Sequence, residues 1–118
     1  MGFDQMEVPE DRYFIEAFGA TPVPDGANEF ARRVALPVGD DDVLTFSYDV
    51  VARSVRYKWV RGGKTNLEVF REGATVVAIR ESVGSTSLVV TFDVGVLAGE
   101  LRIEIFPEIS IQDELLFS

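Results

Sequence analysis

The sequence predicts an all-β fold, an antiparallel meander of about seven strands that forms a β-sandwich or a flattened barrel. From about residue 29 onward, apolar residues alternate with polar ones at a period of two. Glycine-containing turns interrupt this alternation at intervals of roughly 8–12 residues, which is typical of small all-β domains. The 118 residues, 47% of them hydrophobic, suffice for one core. We therefore expect a single β-rich domain over 1–118, with an irregular segment at 1–28 and the strand meander at 29–118.

One short helix is predicted in the irregular segment. Pro9 and the acids Glu10 and Asp11 are typical of a helix N-terminus, and Gly19 is a suitable C-terminal residue. The apolar residues at 13–18 follow at helical spacing, although the same stretch could form a strand. Residues 21–26 contain two prolines and a glycine, and they are predicted to form a loop.

The meander begins with alternating runs at 30–36 and 44–50. After Val50 the apolar phase shifts by one residue, which indicates either a β-bulge or a turn near 51–53. We favour a turn, because one strand from 43 to 60 would be unusually long. The paired glycines of 61–64 predict a hairpin turn after the strand at 55–60.

Four more segments complete the predicted meander. Strands are expected at 65–71 and 74–81, and another along Leu88–Val94. A five-residue loop at 95–99 is expected before the last predicted strand, which Pro107 ends. The tail 109–117, with Leu115, Leu116 and Phe117, is apolar enough to pair or dock once more.

Composition excludes several chemistries. The chain has no cysteine, so it forms no disulfide and no thiolate metal site. It has no histidine, which removes the commonest general base and metal ligand. The acidic run Asp40, Asp41 and Asp42 is interpreted as a solvated turn instead of a cation site. We therefore expect no catalytic residues, no enzymatic activity, no metal and no cofactor, and the absence of a signal or membrane-spanning pattern predicts a cytoplasmic location.

Charge is sorted along the chain. The net charge is −8 over residues 1–50, +5 over 51–80 and −6 over 81–118, and −9 in total. The central block holds a candidate basic patch of Arg53, Arg56, Lys58, Arg61 and Lys64. The patch could bind phosphate or an acidic partner, but strand alternation also allows its residues to pair with acids such as Asp49, Glu68 or Glu104. The overall negative charge argues against nucleic acid as a partner.

Aromatic residues provide the remaining candidates. Tyr57 and Trp59 alternate with Arg56 and Lys58, so their rings either lie in the core or stack on a ligand. Phe70 and Phe106 fall opposite the inward-facing residues of their strands. Exposed aromatic side chains on a sheet indicate a second packed layer or an interface.

These observations favour a non-enzymatic acidic protein-binding module. It would be inhibitor-like, immunity-like or an accessory subunit, and it would contact its partner through a sheet face at Asp40, Asp41, Asp42, Phe70 and Phe106. Two alternatives stay open: a β-sandwich that binds a small ligand or a carbohydrate, and a homo-oligomeric structural component, most simply a homodimer.

Overall fold

The computed structural model describes residues 6–36, 38–95 and 97–117. They form one helix and nine strands: α1 (Asp11–Phe18), β1 (Val23–Asp25), β2 (Asn28–Leu36), β3 (Asp42–Asp49), β4 (Ser54–Arg61), β5 (Lys64–Glu72), β6 (Ala74–Ser82), β7 (Ser85–Val94), β8 (Leu97–Phe106) and β9 (Ser110–Phe117). Strands β1 to β5 form one antiparallel sheet in chain order, and β6 to β9 form a second. The predicted all-β meander is confirmed, and its two separate sheets make it a sandwich and not a closed barrel.

The sheets differ from the prediction at their outer strands. Val23–Asp25, which was expected to lie in a loop, is a short edge strand that pairs with β2. The two prolines led to the prediction of a loop. Proline is nevertheless tolerated on an edge strand, because its missing N–H need not interrupt the hydrogen bonds between the strands. The tail forms β9 and pairs with β8. The predicted loop at 95–99 is too long, because β7 extends to Val94 and β8 begins at Leu97.

Several local predictions are confirmed. Gly19 ends α1 with φ of 71°, and its N–H donates to the carbonyl oxygen of Ile15. Between β3 and β4 the chain turns, and Arg53 has φ of 55°, so a turn and not a bulge causes the apolar phase shift. Gly62 and Gly63 both have positive φ, as a two-residue hairpin turn of type I′ requires.

The core lies between the two sheets. Its buried side chains are Val34, Leu36, Leu44, Phe46, Tyr48, Val55 and Tyr57 from the five-stranded sheet, and Ala74, Val77, Leu88, Val90, Phe92, Leu101, Ile103 and Ile105 from the four-stranded sheet. Helix α1 adds Phe14 and Phe18, and the Phe14 ring stacks on Tyr48 with 6.2 Å between centroids. The helix also contacts β6, so it covers the side of the sandwich where β2 and β6 lie.

The segment before α1 joins both sheets. The Met6 N–H donates to the carbonyl oxygen of Val50, the residue that follows β3, over 3.0 Å. The Glu7 N–H donates to the carbonyl oxygen of Thr75 in β6 over 2.9 Å. Within the described residues, no helix is long and apolar enough to cross a membrane.

Candidate functional site

The outward face of the five-stranded sheet carries two of the five residues of the predicted basic patch. In β4, Arg56 and Lys58 are exposed while Val55 and Tyr57 are buried, because successive side chains of a strand point to opposite faces. Arg61 and Lys64 flank the β4–β5 hairpin turn, and Arg53 lies in the β3–β4 turn. The patch is therefore distributed over one face and the two ends of β4.

Strand register extends this face across four strands. Arg33 pairs with Ser47, Ser47 with Arg56, and Arg56 with Phe70. A shallow hollow of about 410 Å³ lies on this face, and its lining includes the small residues Ala31, Thr45, Ser47 and Ser54, the cations Arg33, Arg56 and Lys58, the ring of Phe70, and the acids Asp25 and Asp49 at its margin. We call Arg33, Arg56 and Lys58, with the hollow between them, the basic face.

The charges of the basic face are only partly paired. Arg33 lies 3.4 Å from an Asp25 oxygen, and Arg56 lies 3.7 Å from a Glu68 oxygen. Within the described part of the chain, no carboxylate lies within 4.0 Å of Lys58 Nζ. Exposed ion pairs of this kind stabilise a fold by only about 0–1 kcal/mol, so a carboxylate of a partner can readily replace the carboxylate within this chain.

Phe70 is the aromatic residue of the basic face. It is 50% exposed, and the Arg56 guanidinium lies 5.3 Å from its ring centroid. Arginine is among the residues that most often contribute strongly to protein–protein binding, and aromatic residues, phenylalanine included, are enriched in interfaces. The arrangement can receive a carboxylate of a partner on the cations and an apolar side chain on the ring.

The acidic turn is joined to the end of the same sheet. Asp42 accepts hydrogen bonds from Arg61 Nε at 2.7 Å and from Trp59 Nε1 at 3.2 Å. The hydrogen bond from Arg61 is the largest influence on the Asp42 carboxyl, and it lowers its pKa against the opposing effect of burial. Asp40 and Asp41 are exposed. Of the three aspartates, Asp42 therefore neutralises part of the basic patch, and the other two side chains face solvent.

The acids proposed as neutralising partners have different roles. Glu68 does pair with Arg56. Asp49 instead accepts hydrogen bonds from Asn28 Nδ2 and from two backbone N–H groups of the β3–β4 turn, so it stabilises that turn. Glu104 lies in β8 of the other sheet.

The two candidate stacking residues occupy different environments. Tyr57 is 2% exposed, and its hydroxyl donates to Asp113 Oδ2 at 2.9 Å, so its ring is not available to a ligand at the surface. Burial, then the Asp113 carboxylate, raises the pKa of Tyr57. Trp59 is half-buried, and the Arg61 guanidinium lies 5.0 Å from its ring centroid.

Phe70 and Phe106 belong to different surfaces. Phe106 is 58% exposed and pairs with Thr86 in the four-stranded sheet, whereas Phe70 pairs with Arg56 in the five-stranded sheet. Both are exposed, as the alternation predicts. The fold does not bring them together in one face, since they lie on the outward sides of opposite sheets.

The comparisons with known proteins give one structural likeness. No family model matches the chain, and no curated protein matches it. A chain of a contact-dependent growth inhibition toxin–immunity protein complex from Klebsiella pneumoniae 342 has a similar structure, with a TM-score of 0.82. The two chains are 17% identical, and the match covers 94% of this chain and 97% of that one. At this identity the likeness shows the fold alone.

Two features of the surface are not predicted from the sequence. Arg33 was not among the candidates, because only strand register places it beside Ser47 and Arg56. The second is a cluster of Tyr57, Arg71 and Asp113, in which Arg71 donates to the carboxylate that Tyr57 also contacts. Its signal was present: Arg71 follows Val69 at an inward position, and Asp113 follows Ile111 in the same way.

Among the described residues, no group of three or more His, Cys, Asp or Glu side chains is arranged to hold a metal ion. The three consecutive aspartates fit this finding, since Asp42 turns toward Arg61 while Asp40 and Asp41 are exposed.

Proposed function

We propose that this chain is an immunity-like binding module, which neutralises a partner protein by occupying part of its surface. The observation that carries the proposal is the structural match, over nearly the whole length of both chains, to a chain of a toxin–immunity protein complex. The acidic composition, with a net charge of −9, is consistent with a protein that associates with a positively charged partner.

The contact surface that we propose is the basic face together with Phe70. Phe70 and Arg56 would form its centre, because an exposed aromatic ring next to a guanidinium can contribute much more than the surrounding contacts. Lys58 and Arg33 would receive carboxylates of the partner. Asp40 and Asp41, which are exposed at the end of the same sheet, would act at longer range by attracting a basic partner and so raise its association rate.

A growth assay tests the function. The product of the gene next to this one in its source genome is expressed in a laboratory bacterium, alone and together with this chain. We expect the neighbour alone to stop growth and co-expression to restore it. Growth inhibition that this chain leaves unchanged, with no complex between the purified proteins, would contradict the proposal.

Binding variants test the surface. For the purified complex, we expect Phe70→Ala and Arg56→Ala each to weaken binding about tenfold or more, in line with residues at the centre of an interface. Phe106→Ala is the matched control, because Phe106 is equally exposed but lies on the other sheet. Asp40→Asn with Asp41→Asn should slow association at low salt and leave dissociation unchanged. Loss of binding by Phe106→Ala alone would place the interface on the other sheet.

Self-association stays a separate prediction. Light scattering over a range of protein and salt concentrations measures it directly, and a monomer mass under every condition would refute a homodimer.

A further inference from the structure

Strand β6 is an edge of the four-stranded sheet. Among the described residues, only the segment around Glu7 forms hydrogen bonds to its outer side, and it reaches only the first half of the strand. The Glu7 N–H donates to the carbonyl oxygen of Thr75, and the Glu7 carbonyl accepts from the Val77 N–H at 2.8 Å. These two bonds form a parallel bridge to β6. Pro9 then provides no N–H, and the chain turns away into α1, so the pairing stops there.

The second half of β6 has backbone groups directed outward. Along a strand at an antiparallel edge, the N–H and C=O of alternate residues point to alternate sides. Because the Val77 N–H points away from β7 toward Glu7, the N–H and C=O of Ile79 and Glu81 point the same way. In the described part of the chain, no hydrogen bond to these groups is found on that side.

A groove of about 510 Å³ runs beside this open edge, between α1 and β6. Its apolar lining consists of Val8, Pro9, Tyr13, Val76, Val77, Ala78 and Ile79, and its charged lining consists of Glu7, Glu16 and Glu81. All of its charged lining residues are thus acidic. The groove therefore suits a segment that carries both apolar and positively charged side chains.

The other edges of the two sheets are less suited to a new strand. Strand β1 has three residues, β5 carries charged side chains at Lys64, Glu68, Arg71 and Glu72, and β9 carries Asp113 and Glu114. Charge and shortness are the usual protections of an edge strand. Strand β6 is nine residues long, and its open half carries Arg80 and Glu81 after the apolar stretch of residues 76–79.

We propose that the open edge of β6 binds an extended segment of a partner protein, rich in lysine or arginine and apolar residues, as an added β-strand. Such strand addition obtains affinity from main-chain hydrogen bonds and selectivity from the flanking side chains. Glu7 already pairs in this way one step earlier along the same edge. The inference rests on the proposed function for the partner being a protein, but it concerns a different surface from the basic face.

Two synthetic peptides test the proposal without the natural partner. One alternates lysine and valine over about eight residues, a common strand length, and the other alternates glutamate and valine. We expect the lysine peptide to shift the amide NMR signals of Ile79 and Glu81 and to slow their hydrogen exchange at least tenfold. The glutamate peptide should do neither. No change at these amides, or a change centred on Arg56 and Lys58, would overturn the proposal.

A third peptide separates strand pairing from attraction between charges. It has the lysine–valine sequence with every backbone amide methylated, so it keeps its charge but cannot donate to β6. We expect it not to slow exchange at Ile79 and Glu81. If the methylated peptide binds as tightly as the unmethylated one, strand addition is overturned. The proposal also fails if, without any peptide, the signals of the same amides shift with protein concentration while the protein's mass doubles, because the edge would then pair with a second copy.

A matched pair of variants completes the test. Glu81→Lys should weaken binding of the lysine peptide at least fivefold, whereas Glu100→Lys, an equal charge change at an exposed position of β8, should leave it within twofold. Equal effects would overturn the assignment to the groove. Because the peptides need no natural partner, the result is independent of the growth assay. The edge can bind the lysine peptide when the growth assay fails, and the growth assay can succeed when the edge does not bind the peptide.

Discussion

Where β5 faces β9, three polar side chains join the two sheets, whereas on the side of β2 and β6 a helix covers the gap. On the first side, Asp113 accepts hydrogen bonds from both Tyr57 and Arg71, and the Arg71 guanidinium lies 4.2 Å from the Phe92 ring centroid. On the second, Phe14 stacks on Tyr48, and Arg32 pairs with Asp11.

The two closures leave different surfaces. The Asp113 cluster joins the two sheets directly, and the Arg71 and Asp113 side chains are only 19% and 22% exposed. The helix fills its side with apolar packing and leaves the groove beside β6, where the described residues provide no hydrogen-bond partner for the outward backbone groups of Ile79 and Glu81. On the side that helix α1 closes by apolar packing, β6 thus remains an edge with which a further strand can pair.

Removal of the central aromatic ring of the helix should have the largest effect. Phe14 is fully buried, and Phe14→Ala is expected to lower the free energy of unfolding by about 3–5 kcal/mol through lost burial and a cavity. Ile15→Ala is the matched control on the same helix, since Ile15 is 50% exposed, and it should change stability by less than about 1 kcal/mol. Urea unfolding measures both. Equal losses would show that the helix does not close this side through Phe14.

Asp113→Ala tests the opposite side. It removes the acceptor of both Tyr57 and Arg71, and we expect a loss of about 2–3 kcal/mol, less than for Phe14→Ala because the cluster is partly exposed. The neighbouring exposed acid offers a control, since Glu114→Ala should stay within about 0.5 kcal/mol. If the two variants unfold at the same urea concentration, the cluster does not join the sheets energetically.

Tyr57→Phe tests the same cluster through pH. The fold favours the protonated phenol, so the folded-state pKa exceeds that of the unfolded chain, which is about 10. The resulting stabilisation is complete below pH 10 and is lost as the pH rises above it. We expect Tyr57→Phe to cost about 1–2 kcal/mol at pH 7, and the difference from wild type to shrink above pH 10. A difference that is constant from pH 7 to 11 in urea titrations would contradict this.

The smallest effect is expected at the ion pair beneath the helix. Asp11 and Arg32 have side chains 44% and 38% exposed, and Asp11→Ala should cost only about 0.5–1 kcal/mol, partly through the helix dipole. High salt should reduce this cost. Thermal melts at two salt concentrations provide the measurement, and a loss as large as that of Asp113→Ala would remove the contrast between the two sides.

Much of this architecture is predictable from the alternation of side chains. The order of the strands in the meander, the outward position of Arg56 and Lys58 and the turn near Arg53 all follow from local pattern. Pairing between distant residues does not. Tyr57 and Asp113 are 56 positions apart, and the two adjacent acids of β9 give no indication of which one faces inward or what it contacts.

The candidate surfaces depend even more on three-dimensional placement. The basic patch is visible in the sequence, but Arg33 joins it only through strand register. The groove is not visible in the sequence, because it results from the end of pairing between the chain near Glu7 and β6. A strand is an edge because no other strand pairs with one of its sides, and the sequence of the strand itself does not indicate this.

The meander also has a consequence for folding kinetics. Every strand pair in both sheets joins neighbours in the chain, so each hairpin can form before the sheets meet. Asp113 contacts residues 42 and 56 positions away, and these contacts require both sheets to be in place. We expect them to form after the rate-limiting step, so that loss of Asp113 accelerates unfolding and leaves refolding nearly unchanged. Those contacts then determine how long a folded molecule persists, and the hairpins determine how quickly it forms.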